Sequence, residues 1–265
     1  NESIKVQSEN KQTHLSIFLK AKSLEQKGKK IIHMEVGEPD FLPPEIVKKS
    51  LTEVFEKGFI KYGQAKGLPI FRETLAKYVS KKFNVEVTDE NIIVSPGARF
   101  SIFSAISTLL NPGDEMIVIE PSWPAYKDCA INAGIKVRTI NTTLEEKWEP
   151  SIEQIKNVIN TNTKMIVLNY PNNPTGKILP EKLQDSIIEV AKENNLYVLS
   201  DEIYSQYAKT NWKSILSYNY EKSIVTQSFS KSHAMTGFRI GYGIASKQII
   251  EKMVKLEALC LTNVS

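Results

Sequence analysis

Residues 165–204 read MIVLNYPNNPTGKILPEKLQDSIIEVAKENNLYVLSDEIY, and this stretch decides the fold. Met165–Asn169 and Leu196–Ser200 are short, nearly continuous apolar runs, the form taken by strands buried on both faces. Between them Pro180–Asn194 carries a helical pattern, preceded by a loop in which two prolines and two asparagines break regular structure. Strand, helix and strand in succession make a crossover unit, whose strands lie parallel.

The same alternation extends in both directions. Further strands are expected at Ile92–Ser95, Met116–Ile119, Lys136–Ile140, Ser223–Ser228 and Ile240–Ala245. Helices are expected at Ala98–Leu110, Ala125–Ala133, Ser151–Ile159 and Lys247–Leu259. The expected fold is therefore α/β, a doubly wound, mostly parallel sheet of about seven strands sandwiched by helices. Ahead of it come a polar helix-like stretch, Thr13–Gln26, and a strand, Ile31–Val36. The turn-rich Gly37-Glu38-Pro39-Asp40-Phe41 follows. Helices over Pro44–Lys57 and Leu68–Lys82 flank a loop around Tyr62. No internal repeat or low-complexity linker interrupts the chain, and its first ~40 residues need something else to pack on.

Composition narrows the function. A chain of 265 residues fits one large domain or one domain with part of a second. The hydrophobic fraction of 41% and charged fraction of 24% are those of a globular protein. The net charge of +4 is the small difference between 34 basic and 30 acidic residues. The lysines are scattered as on solvated helix faces, so no nucleic-acid partner is expected. The apolar runs fall far short of a membrane span, so no membrane partner is expected either. The N-terminus has no signal-peptide core. The two cysteines, Cys129 and Cys260, lie far apart without metal-ligand spacing, and no metal is expected. A cytoplasmic address follows by default.

In α/β sheets ligands gather beyond the carboxyl ends of strands, and four segments there carry unusual residues. Ser95-Pro96-Gly97-Ala98-Arg99 opens a helix, where a glycine lets backbone N–H groups approach an anion; a plain strand-to-helix turn reads the same way. Asn169-Tyr170-Pro171-Asn172-Asn173-Pro174-Thr175-Gly176 is a rigid polar loop, either a tight turn or a place to hold an Asn donor against a ligand oxygen. Ser200-Asp201-Glu202-Ile203-Tyr204 puts an acid at a strand end, either as a helix cap or as the partner of a heteroaromatic N–H⁺. The fourth runs from Ser228-Phe229-Ser230-Lys231 to Gly237-Phe238-Arg239-Ile240-Gly241-Tyr242. A lysine among small hydroxyl residues is oddly placed for a solvated charge, and desolvation is what makes such an amine nucleophilic. Arg239, eight residues on, supplies a fork for phosphate. Together the four segments are far more specific than any one of them.

With these residues in this order the chain resembles the class I aminotransferases, fold type I of the pyridoxal 5'-phosphate enzymes. Its motif wording is closest to the prokaryotic aspartate aminotransferases. The resemblance runs from Gly37 to Tyr242. It implies that Lys231 binds the cofactor as a Schiff base and shuttles a proton to and from the substrate Cα. Asp201 would pair with the ring nitrogen, and Asn173 and Tyr204 would hydrogen-bond the phenolate oxygen. Trp123, in Pro121-Ser122-Trp123-Pro124, would stack on the ring. The phosphate would lie among the backbone of Ala98 and Arg99, Ser228 and Arg239. Tyr62 would reach the phosphate of a neighbouring subunit, which implies a homodimer with shared active sites. Gly37 would contact the substrate α-carboxylate through its backbone, with Asn173 and Trp123 lining the same site. Arg99 occupies the place of a lysine that contacts the distal carboxylate, which favours aspartate and glutamate.

Other side chains have plainer readings. Trp123 also reads as a core aromatic and Tyr62 as ordinary surface. Ser230, His233, Arg72 and Tyr126 read as structural. The resemblance further implies a large domain over residues 41–265 and an N-terminal arm with part of a small domain over 1–40. The rest of that small domain, which carries the arginine clamping the substrate α-carboxylate, is absent from the sequence. The expected function is ping-pong transfer of an amino group between an amino acid and a 2-oxo acid. The alternatives are a lyase of the same fold, or a cofactor-binding fragment or regulatory domain without turnover.

Overall fold

The computed structural model describes residues 14–58, 60–209 and 212–264. Helices α1 (His14–Gln26), α2 (Glu45–Glu56) and α3 (Pro69–Phe83) precede strand β1 (Ile92–Ser95), helix α4 (Ala98–Leu109) and strand β2 (Glu115–Glu120). Then come α5 (Ala125–Asn132), β3 (Lys136–Asn141), α6 (Ile152–Val158), β4 (Thr163–Leu168), α7 (Glu181–Glu193) and β5 (Tyr197–Asp201). The chain closes with β6 (Ser223–Ser228), the single-turn helix α8 (Phe229–Ser232), β7 (Gly241–Ala245) and α9 (Lys247–Leu261).

The strands form one seven-stranded sheet in the order β1-β7-β6-β5-β4-β2-β3. β2 pairs in parallel with β3 and β4, and β4–β5 and β5–β6 are parallel too. Only β7 runs the other way, antiparallel to β1 and β6. The expected mostly parallel, seven-stranded sheet is the one observed.

The apolar runs without alternation have a simple cause. Successive side chains point to opposite faces, and both faces are covered. Ile117, Ile119, Ile166 and Leu168 pack with residues of α3, α6 and α7. Met116, Val118, Met165 and Val167 pack with residues of α4, α5 and α9. β3, at the sheet edge, exposes Lys136 and Arg138 and buries Ile140, a charged edge that discourages pairing with another chain. Arg138 also forks onto Glu115 of β2 through two hydrogen bonds of 2.8 and 2.9 Å.

The strand expected at Ile31–Val36 does not form. Its apolar residues are turned outward, Ile32 83% and Met34 87% exposed. Without a neighbouring strand to complete a ladder, an extended segment gains nothing from β pairing. The helix expected from Thr13 begins at His14, Thr13 itself lying outside the described residues. Among the described residues, no helix is long and apolar enough to cross a membrane.

Candidate active site

β6 ends at Ser228 and the chain turns at once into α8. Ser228 caps that helix: its Oγ accepts from Ser230 N at 3.0 Å and donates to the Ile240 carbonyl at 2.9 Å. The cap fixes the turn on which Lys231 stands, and Tyr207 Oη donates to the Lys231 carbonyl at 2.7 Å. The Lys231 amine is half-buried and donates to the carbonyl of Gly37. Thr236 Oγ1 donates to the Glu38 carboxylate beside it, so the segment ahead of α2 lies across the lysine. Burial holds the Lys231 pKa below the usual lysine value; Glu38 opposes this and the Arg239 charge adds to it.

Asp201 closes the neighbouring strand, β5, and is buried. Tyr126 Oη donates to its Oδ2 at 2.7 Å, and Thr226 Oγ1 and the Ile203 N–H donate to Oδ1 at 3.2 and 3.4 Å. Burial raises the Asp201 carboxyl above the ordinary range while these donors pull it down. All three are neutral. Asn169, at the end of β4, ties the acid to the Asn-rich loop: its Nδ2 donates to the Asp201 carbonyl at 3.0 Å, and its Oδ1 accepts from Asn173 N at 2.9 Å. Asn173 Nδ2 in turn lies 3.5 Å from Tyr204 Oη.

The third component is the start of α4. Gly97 caps this helix with φ 76°, a conformation open to glycine. A Cβ there would fall 2.5 Å from Arg239 Nη2, and one at Gly241 would fall 2.5 Å from Ala98 N. Only glycines let Arg239, the start of β7 and the free N–H groups of α4 come this close. The Arg239 guanidinium is held by the carbonyls of Thr236 (2.8 Å) and Pro96 (3.3 Å). The Arg239 guanidinium fork and a helix N-terminus converge here on a place suited to a phosphate.

Trp123 meets Tyr126 edge-on with ring centroids 5.4 Å apart, and the Arg99 guanidinium lies over the Trp123 ring at 4.6 Å. The structure thus gathers Lys231, Asp201, Asn173, Tyr204, Ala98, Arg99, Trp123, Ser228, Arg239 and Gly37 at the carboxyl edge of the sheet. Tyr62 is different: it is 89% exposed on the loop between α2 and α3, and no hydrogen bond among the described residues joins it to this group. Sequence reasoning missed Thr226 and Tyr207, named Asn169 in the Asn-rich loop without a role of its own, and gave Tyr126 no part beside Asp201. The one available signal was the Trp123-to-Tyr126 spacing, which puts two aromatics on one side of a helix start.

Residues 29–264 match the model of the family described as aminotransferase class I and II. The aspartate aminotransferase of Thermotoga maritima is 35% identical over 247 residues, 92% of this chain and 66% of the relative. The aspartate/prephenate aminotransferase of Thermus thermophilus is 33% identical over 261 residues, 98% of this chain and 68% of the relative. The crystal structure of the Thermotoga aspartate aminotransferase matches with a TM-score of 0.93 at 32% identity, over 97% of this chain and 69% of that one. The chain spans about two thirds of the length of the curated relatives it matches.

Proposed function

The chain belongs to the class I and II aminotransferases, and from that premise we propose that the complete protein is a pyridoxal 5'-phosphate-dependent transaminase. It moves an amino group between an acidic amino acid, aspartate or glutamate, and a 2-oxo acid by a ping-pong scheme. The observation that carries this reading is the placing of a half-buried amine, just beyond β6, at the same sheet edge as a buried carboxylate at the end of the adjacent β5.

The residues present fit the cofactor. Asp201 is a buried carboxylate with neutral donors only, and burying such a charge without a cation is costly. A protonated ring nitrogen supplies the missing positive charge. The start of α4, against which Gly97 and Gly241 let Arg239 and β7 lie, suits the phosphate. Bound there, pyridoxal phosphate supplies an aldehyde for the amine and a ring that accepts the electron pair released at the substrate α-carbon.

The chain's own residues do the rest. Lys231, whose pKa burial holds below the usual lysine value, binds the aldehyde carbon and afterwards carries the proton that leaves and returns at the α-carbon. Asp201 holds the proton on the ring nitrogen. Asn173 and Tyr204 hydrogen-bond the phenolate oxygen, and Trp123 covers the ring face. The Ala98 and Arg99 backbone, Ser228 and Arg239 bind the phosphate. Tyr62 reaches the phosphate of a second copy, which makes the active unit a homodimer. The Gly37 backbone meets the substrate α-carboxylate, and Arg99 meets the distal one. Residues 41–265 form the large domain. Residues 1–40 are the N-terminal arm with part of the small domain, and the free thiols suit the cytoplasm.

The test uses the full-length protein with aspartate, leucine or phenylalanine as donor and a 2-oxo acid as acceptor. Amino transfer is expected, with aspartate preferred. Arg99→Ala lowers kcat/KM for aspartate relative to phenylalanine by roughly tenfold, the scale of one charge-assisted hydrogen bond. An unchanged ratio removes the Arg99 role. Ammonia release without an oxo-acid acceptor replaces the transaminase with a lyase.

A further inference from the structure

Tyr126 is buried at the start of α5 and touches two walls of the candidate cofactor slot. Its Oη donates to Asp201 Oδ2 at 2.7 Å, and its ring stands at 86° to that of Trp123. We propose that Tyr126 is a positioning residue: its hydroxyl orients the Asp201 carboxylate and keeps the shared proton on the cofactor ring nitrogen. The inference rests on the reading above, in which that nitrogen lies against Asp201.

Burial and the adjacent Asp201 charge push the Tyr126 phenol well above its usual value, so it stays protonated and can only donate to an ionised carboxylate. A neutral donor lowers the carboxylate's affinity for a proton without cancelling its charge. A lysine or arginine in the same place would form an ion pair and take from Asp201 the charge that a pyridinium needs. Thr226 Oγ1, at 3.2 Å, and the Ile203 N–H, at 3.4 Å, serve the other oxygen at longer range, so the Tyr126 bond is the dominant one. Remove it, and the carboxylate becomes the stronger base. The proton then shifts from the ring nitrogen to Asp201, and the ring draws electrons less strongly.

Tyr126→Phe keeps the ring and its edge contact with Trp123 while deleting Oη. The test is made on the full-length holoenzyme carrying cofactor labelled at the ring nitrogen. The nitrogen NMR signal reports ring protonation, and the pH midpoint of the cofactor's visible absorption reports the Lys231 nitrogen joined to it. In Tyr126→Phe the ring signal is expected to move toward the unprotonated position. The midpoint is expected to rise by about one pH unit, the size of a single hydrogen bond to a buried charge. Thr226→Val, which removes the longer bond, moves both signals the same way by less, and serves if Tyr126→Phe does not fold. A protonated ring nitrogen in wild type with both signals unchanged in the variants overturns the Tyr126 role and leaves the function standing. A wild type that holds no cofactor on Lys231, or holds it with an unprotonated nitrogen, overturns the reading of the site and this inference with it.

Discussion

Glu257 sits on the buried face of α9 with neither carboxylate oxygen hydrogen-bonded, and burial alone pushes its pKa up to about 8. Between the ordinary carboxylate value and that one, the folded chain keeps a proton that the unfolded chain has lost. Stability therefore falls as pH rises through this window and levels off above it. Glu257→Gln removes the titration. The variant should match wild type near about pH 4 and exceed it by a few kcal/mol above about pH 8. Chemical denaturation at the two pH values checks this; a parallel pH dependence in both proteins would contradict it. At this same scale Lys231 and Asp201 stand out in the sequence as candidates, each an ionisable residue at or just past the end of a strand. Tyr126 does not. Its partner lies 75 residues away, and only the sheet order, which sets β5, β4 and β2 side by side, brings the two together.

Between α1 and the segment that follows it, His33 bridges two acids. Its Nε2 lies 2.8 Å from a Glu25 oxygen, and its Nδ1 lies 2.6 Å from a Glu35 oxygen. Both nitrogens can donate only in the imidazolium form, and hydrogen bonding to Glu35 and then Glu25 raises the His33 pKa. The sign follows: the clasp is fully present below the ordinary histidine value and is lost as pH rises through the raised folded value. Hydrogen exchange in α1 should quicken across that range beyond the intrinsic pH effect, and His33→Gln should abolish the step. A wild type without the step would contradict it. The element scale is also where local patterns succeed or fail. β1 falls at Ile92–Ser95 as its apolar run requires, since burial on two faces leaves a continuous apolar signal; β6 falls at Ser223–Ser228 as expected although only Ile224 and Val225 in it are apolar. Ile31–Val36 has a strand's composition but no partner strand. The direction of β7 and the single turn of α8 left no periodicity to read, one being a matter of chain path and the other too short for a 3.6-residue repeat.

Across the whole molecule, exposed apolar side chains concentrate in the N-terminal third. Ile46 and Phe55 of α2 are 66% and 73% exposed, and Met34, Leu42 and Ile70 lie open nearby. Surface of this kind marks an interface. It agrees with the proposed small domain and second copy, and Asn263, 3.8 Å from where a Gly63 Cβ would be, places the end of α9 against the same region. The seven-stranded sheet, by contrast, is covered on both faces and holds the candidate site at its carboxyl edge. The central claim is that Lys231 anchors the cofactor there. Borohydride reduction of the full-length protein after loading with pyridoxal phosphate turns a carbon–nitrogen double bond into a stable amine, and peptide mass analysis locates it. The account predicts the cofactor fixed to Lys231. No fixed cofactor, or one fixed to a different lysine, would contradict it.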